Sequence, residues 1–312
     1  MHELIERFLA HIDVSKTRIS GSPQRIAVFG GPSGKRKGRF KSARGVFLSD
    51  VLTANPRIAE RILTPEQYPE WNQFGVFQNL VEFEEELAYL TVAVLLFLES
   101  PGAIAELGVF SQIPQLRHQL YVVLNEHHYN ESSFIRLGPL AQLKADNRNS
   151  VLVFPYSEKR PQEIVAHLPL LYGRLESVLV AIPASEQFQP ALRRSQLLLI
   201  ADLVEIFGVL QPTELEVLLK AFSVSLDHGT LSRSLFLLRR LQLIDDRQYG
   251  TNRYLCATAR STTFLDIDAT TGGPPFNRLR FRVEAIDTIT RDSSRRAMLH
   301  AGLNGLASKG KK

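Results

Sequence analysis

The sequence predicts a doubly wound α/β domain on a parallel sheet of five strands, followed by a smaller, mostly helical domain. Two observations carry the sheet. Short runs rich in Val, Leu and Ile stand at Ile26 to Phe29, Thr91 to Leu98, Gln119 to Leu124 and Ser150 to Phe154, with a weaker one at Arg61 to Thr64. Amphipathic stretches separate them, which is the rhythm of strands buried on both faces and joined by helical crossovers. The third observation concerns the C-terminal part, where three apolar-periodic segments are followed by strand, turn and strand. That order is a winged helix-turn-helix.

Each element has its own signal. The first strand runs into Phe29-Gly30-Gly31-Pro32-Ser33-Gly34, and a helix is expected over Phe40 to Leu52. Before Thr91, Leu80, Phe83, Leu87 and Leu90 share one helical face while Glu82, Glu85 and Glu86 occupy others. The strand ending at Leu98 stops at Glu99, and Ser100-Pro101 then supplies an N-cap and a first helical residue. A long helix from Pro161 to Leu179 closes a domain spanning 1–182, and 183–192 reads as a linker. In the second domain, 193–305, helices are expected over Ser195 to Phe207, Thr213 to Phe222 and Thr230 to Leu241. Asp227-His228-Gly229-Thr230 marks the start of the third. The wing follows, from Leu243 through the turn at Gly250 to Leu255. Arg278 to Leu299 is a last helical segment, a lid or an oligomerisation helix that would build a homo-oligomer or filament. Residues 306–312 form a tail, disordered over Ser308 to Lys312.

Composition narrows the class. The 312 residues, 44% hydrophobic and 22% charged, suit an ordinary soluble protein with two cores. The longest apolar run, Thr91 to Leu98, falls far short of the roughly 20 residues that span a bilayer. Met1-His2-Glu3-Leu4 does not open a signal peptide, so the expected location is the cytoplasm, away from membrane. With one cysteine, Cys256, neither an internal disulfide framework nor a Cys-based zinc cluster can form, and no metal is expected. The net charge of +5 is uneven. Residues 1–192 carry 19 Lys and Arg against 20 Asp and Glu, and residues 193–312 carry 18 against 12. A basic C-terminal part invites a phosphate backbone, or is simply a solvated surface.

The chemistry centres on Glu99 and Glu106. In open α/β sheets ligands sit beyond the carboxyl ends of the strands, which puts Glu99 on the rim and Glu106 about two turns into the next helix. Apolar neighbours would partly desolvate Glu106, and a carboxylate held so can attack an anomeric carbon while a second assists. The alternative is that both glutamates cap and solubilise one helix. The Gly30-Gly31 loop can bring backbone N–H groups to a phosphate or stay a flexible turn; it matches neither the P-loop nor the dinucleotide fingerprint. His127 and His128 are adjacent and point apart in a strand, a poor metal pair. In the C-terminal domain Arg233, Arg239 and Arg240 lie on the expected recognition helix and Arg247 and Arg253 in the wing, suited to phosphate contact, although winged helices also dock proteins.

The run from Phe97 to Ser111, with Thr64-Pro65-Glu66, Glu84 and Ser133 to Pro139, resembles nucleoside 2-deoxyribosyltransferase-like proteins, and more narrowly the effectors encoded with bacterial retrons. The resemblance implies a flavodoxin-like sheet, a nucleophilic glutamate at Glu106 and a sugar contact at Glu99. It further implies substrate contacts at Gly30, Gly31, Glu66, Glu84, Ser100 and Gly102. Glu99 stands where the transferases carry Asp, and Ser-Pro-Gly where they carry an acid followed by Gly-Thr, which favours hydrolysis of a nucleotide N-glycosidic bond, such as that of NAD, over base exchange. NAD or a nucleotide is then substrate, with no cofactor. The implied role is a toxin in anti-phage defence, held by a reverse transcriptase and its multicopy single-stranded DNA. Two readings compete with this N-glycosidase: a nucleotide-sensing DNA-binding regulator, and a structural nucleoprotein subunit without catalysis.

Overall fold

Strand β1 (Ile26–Gly30) is flanked by parallel partners on both sides, β2 (Ile62–Leu63) and β3 (Ala93–Phe97). Strands β4 (Leu120–Asn125) and β5 (Val151–Phe154) extend the sheet beyond β3, giving the order β2-β1-β3-β4-β5 with every pair parallel. In this computed structural model residues 1–72, 75–270 and 275–304 are described. The expected tail therefore lies outside the described residues. All five strands fall within the expected apolar runs or one residue past them.

The order 2-1-3-4-5 has a physical consequence. Crossovers leave β1 and β3 in opposite directions, so a crevice opens between their carboxyl ends. Period-two alternation decides what covers each face. Ile26, Val28, Leu95 and Phe97 point to one side, packed under helix α1 (Ala43–Ala54) and helix α4 (Leu168–Val180). Phe29 points to the other, where its ring meets Phe110 of helix α3 (Pro101–Gln112) edge-on at 5.1 Å. Helix α2 (Leu80–Tyr89) precedes β3, with Phe83 and Leu87 buried as expected and Leu80 exposed. The expected long helix from Pro161 starts as a 3-10 turn, Pro161–His167, and becomes α-helical only at Leu168, with Pro169 in its first turn, where a missing N–H costs nothing.

Residues 23–182 form one compact unit, and residues 1–22 join 183–312 in the other. This differs from the expected division, which placed 1–22 with the sheet. The apolar face of helix His2–His11, Leu4, Ile5 and Phe8, needs a core to cover it, and Phe8 packs edge-on against Phe207 at 5.2 Å. Arg18–Ile19 pairs antiparallel with both Glu186–Gln187 and Leu265–Asp266, so part of the expected linker is a strand.

Within that unit, helices α5 (Arg193–Phe207), α6 (Pro212–Ala221) and α7 (His228–Arg240) are followed by a hairpin. Strand β6 (Val209–Leu210) pairs with β8 (Asn252–Ala257), which pairs with β7 (Ile244–Tyr249), all antiparallel. Gly250, at φ +59°, makes the hairpin turn, a backbone that L side chains rarely adopt. Asp227 caps α7 by accepting from Thr230 N–H at 2.8 Å. The expected last helix breaks at Asp292 into Arg278–Arg291 and Ser293–Asn304, because the Asp292 carboxylate accepts from Ser294 N–H at 2.9 Å and starts a new helix. Fully buried Asp202 is satisfied by Arg278 at 2.9 Å and by the Phe264 N–H at 2.7 Å. Among the described residues no helix is long and apolar enough to cross a membrane.

Candidate active site

The seat for an anion at the start of α1 is already filled from within the chain. Ala43 and Arg44 donate their backbone N–H groups to the two oxygens of Glu99, at 2.7 and 2.9 Å. Gly45 donates to the Ser42 hydroxyl at 2.8 Å, completing the first turn. Glu99 is thus the counter-ion of the α1 dipole and ties the end of β3 to the loop after β1. Burial raises its pKa, and these hydrogen bonds oppose that rise. Gly31 belongs to the same arrangement, since a Cβ there would come within 2.9 Å of the Glu99 carboxylate. The loop thus packs closely on the carboxylate that ties β3 to α1.

Arg44 is the centre of the cleft. It lies on the first turn of α1, is only 1% exposed, and turns back beneath the sheet edge. Its guanidinium donates to Val28 O at 2.9 Å and Gly31 O at 3.1 Å, and forks onto both oxygens of Glu66 at 2.6 and 2.8 Å. A cation beside a helix N-terminus is unfavourable on its own, so the two carbonyls and the bidentate carboxylate must offset it. Burial raises the Glu66 pKa, but hydrogen bonding and charge from Arg44 outweigh it and leave Glu66 below the ordinary carboxylate range.

Two further carboxyl groups share the cleft without such a fork. Glu84 of α2 is 6% exposed, and burial, with the charges of Glu106 and Glu66, pushes its pKa up to about 8. Glu106 of α3 is pushed up to about 7, by burial first and with Arg44 opposing. Its Oε2 is buried and has no hydrogen-bond partner among the described residues. The cleft has a volume of about 320 Å³, lined by Phe29, Gly30, Arg44, Pro65, Glu66, Pro69, Trp71, Leu80, Glu84 and Glu106. Gly30 sits at φ +123°, and a Cβ would fall 2.4 Å from Phe97 O, so only glycine lets β1 end this close to β3. Trp71 stacks on Phe83 at 6.1 Å and an interplanar angle of 16°, giving the cleft a flat aromatic wall.

Of the residues expected to meet substrate, Gly30, Glu66, Glu84 and Glu106 converge here. Glu99, Gly31, Ser100 and Gly102 do not line the cleft. Glu99 and Gly31 hold its rear wall, Ser100 caps α3 by accepting from Ala103 N–H at 3.1 Å, and Gly102 is exposed on its first turn. The expected sugar contact from Glu99 thus falls on a carboxylate behind the cleft, each of whose oxygens accepts one N–H of the α1 backbone. Arg44 and Trp71 were not anticipated. A charge in the first turn of α1, where the dipole disfavours a cation, was the one sequence signal for Arg44.

In the other unit, Arg253 and Arg247 of the hairpin face their own strand neighbours, Asp246 at 2.9 Å and Asp245 at 2.7 Å. On α7, Arg233 donates to the Thr230 hydroxyl at 2.9 Å and Arg240 lies over the Phe236 ring; Arg239 is half-buried on the last turn. His128 contacts Glu158 at 2.7 Å. Among the described residues no group of three His, Cys, Asp or Glu could hold a metal ion.

Residues 41–246, which include Arg44, Glu66, Glu84 and Glu106 of the cleft and the three-helix segment, match the family model described as STM3845 retron effector protein. The chain belongs to this family. Two curated relatives from Escherichia coli are similar. The Retron Ec73 putative ribosyltransferase/DNA-binding protein is 30% identical over 157 residues, 46% of this chain and 50% of the relative. The Ec86 protein of the same description is 38% identical over 74 residues, 24% of each chain. The match thus spans half the length of the first relative and about a quarter of the second.

Proposed function

We propose that this retron effector cleaves the N-glycosidic bond of a nucleotide, NAD among them, through Glu106. The observation that carries the proposal is the pairing of Glu106, with a buried and unpartnered oxygen, and the proton-holding Glu84 in one cleft whose Arg44 is occupied by a third carboxylate. Two titratable groups with different values in one cleft are an acid and base assignment. The Glu106 carboxylate attacks the anomeric carbon as the bond to the base breaks. A purine or pyrimidine leaves with the proton from Glu84, whereas a pyridinium such as that of NAD leaves as a neutral ring and needs none. After a purine or pyrimidine has left, the ionised Glu84 takes a proton from the water that resolves the glycosyl ester; on NAD, where Glu84 has given none to the ring, it first releases its proton to solvent and then serves the water in the same way. Trp71 offers a face for the base. The sheet order 2-1-3-4-5 and the ribosyltransferase role in the relatives' names support a nucleoside deoxyribosyltransferase-like ancestry.

The test is release of free base from NAD and a panel of nucleotides. With Glu106 needed ionised and Glu84 needed protonated, kcat/KM for a nucleotide is expected to fall below about pH 7 and again above about pH 8. No release from any of these compounds would overturn the reading.

The second unit favours a complementary role. Three helices and a β6-β8-β7 sheet in this order support a winged helix, and the relatives' names include DNA binding. We propose that it docks on the retron's reverse transcriptase and single-stranded DNA through Arg233, Arg239 and Arg240, the aspartate-paired Arg247 and Arg253 contributing less. Replacing Arg239 with Glu is expected to weaken DNA binding and to reduce the salt slope by about one. An unchanged slope in a filter-binding titration would count against it.

A further inference from the structure

A second cavity, of about 410 Å³, lies within the unit formed by residues 1–22 and 183–312, between helix His2–His11 and helix Arg278–Arg291. Its base is aromatic. Phe8 is buried, and Phe276 and Phe281 are half-buried at its surface. Their ring centroids stand 5.2 to 5.8 Å apart with interplanar angles of 47° to 73°, so no ring in the trio stacks flat on another. The rim is cationic. Arg7 and Arg280, from the two different helices, converge on one carboxylate, Glu284, at 3.6 and 3.4 Å. These contacts are longer than the roughly 2.7–2.9 Å of a charge-assisted hydrogen bond, and two guanidiniums against one carboxylate leave positive charge in excess. Both arginines are largely exposed, so their N–H donors are open to a ligand. The volume falls within the roughly 300–1,000 Å³ of small-ligand sites.

Aromatic faces beside converging guanidiniums suit a molecule that is flat and apolar at one end and anionic at the other. We propose that this cavity is a nucleotide-binding site: a base lies against Phe276 and Phe281 while its phosphate takes Arg7 and Arg280. The chemistry is shared by a free nucleotide and by one residue of a single strand, whose bases stack on aromatic side chains in the same way. The site belongs to a different unit from the Glu106 cleft and does not depend on the chemistry assigned there.

The test uses the full chain carrying Glu106→Gln, to prevent turnover, and follows binding of AMP and of a 5′-phosphorylated ten-nucleotide oligothymidylate by calorimetry. Arg280→Glu and Phe276→Ala, each added to that chain, are expected to weaken the tighter-binding probe about 10-fold or more. Adenosine is expected to bind less well than AMP. Because Arg280 is exposed, its replacement tests the phosphate contact even if Phe276→Ala impairs folding. In the otherwise unaltered chain, Arg280→Glu is expected to leave base release unchanged. Tighter binding of AMP assigns the site to a free nucleotide and tighter binding of the oligonucleotide to a strand; both sustain the proposal. Binding of both probes that is indifferent to Arg280→Glu, or absent altogether, overturns it.

Discussion

Glutamine in place of Glu84 is expected to make the protein more stable at pH 8 than the natural chain and to disable half of its chemistry. In the folded protein this carboxyl keeps its proton to about 8, against an ordinary value of 4.5. Below 4.5 the group is neutral in both folded and unfolded chains, and its burial is not penalised on that account. Between 4.5 and about 8 only the folded chain holds the proton, so stability falls as pH rises, by about 1.4 kcal/mol per unit. Above about 8 the whole penalty, of the order of a few kcal/mol, remains. Glutamine is neutral throughout and removes it. Urea denaturation at pH 5 and pH 8 checks this: the advantage of Glu84→Gln should grow with pH, and an advantage equal at both values would contradict the assigned proton. The same variant separates an acid from a merely structural residue. Release of a purine or pyrimidine, which needs the Glu84 proton, should fall about 10²- to 10⁴-fold. On NAD the departing ring needs no proton, so a burst of about one nicotinamide per chain should survive, followed by slow turnover because water has lost its base. A buried acid that costs stability and is nevertheless present is the pattern of a functional site.

The sheet was legible because each strand is a short apolar run and its neighbours are helices with one apolar face. The carboxyl-end crevice follows from that alternation, and with it the neighbourhood of Gly30, Glu66, Glu84 and Glu106. What the chain hid is which polar groups satisfy each other. Glu99 and Glu106 look alike in sequence, one at a strand end and one a few residues into a helix. They differ because Ala43 and Arg44, 56 and 55 residues earlier, present two backbone N–H groups to the two Glu99 oxygens. Arg44 hid in a basic run whose other members, Lys35, Arg36, Lys37, Arg39 and Lys41, are exposed, and only the folded chain shows it turned inward to Val28 and Glu66. The assignment of residues 1–22 failed for a related reason: an apolar helix face declares that it must be covered, not by which core.

Replacing Glu106 with glutamine is expected to reduce release of base from every substrate by about 10³-fold or more, with no loss of stability and, as at Glu84, a gain that is complete once the pH passes about 7. The structure gives reasons for both halves. Stability should hold because the Glu106 carboxyl is half-buried, makes no hydrogen bond through Oε2 and anchors no backbone, unlike Glu99. An amide of the same shape fills the same space and discards a charge whose pKa burial has already raised. Activity should collapse because an amide does not form the glycosyl ester, and neither Glu66, forked onto Arg44, nor Glu99, bound to the α1 backbone, is free to replace it. The NAD burst that survives Glu84→Gln should vanish here, since the lost step is the first. Rapid quenching followed by intact-mass measurement gives the direct readout: a glycosyl adduct on the natural chain and on Glu84→Gln, and none on Glu106→Gln. Base release at an undiminished rate in Glu106→Gln would remove the nucleophile from this residue. Nucleotide binding without release by the natural chain, lost in Glu106→Gln, would instead make Glu106 a contact for a sensed ligand, the position it would hold in a regulator that recognises a nucleotide without breaking it.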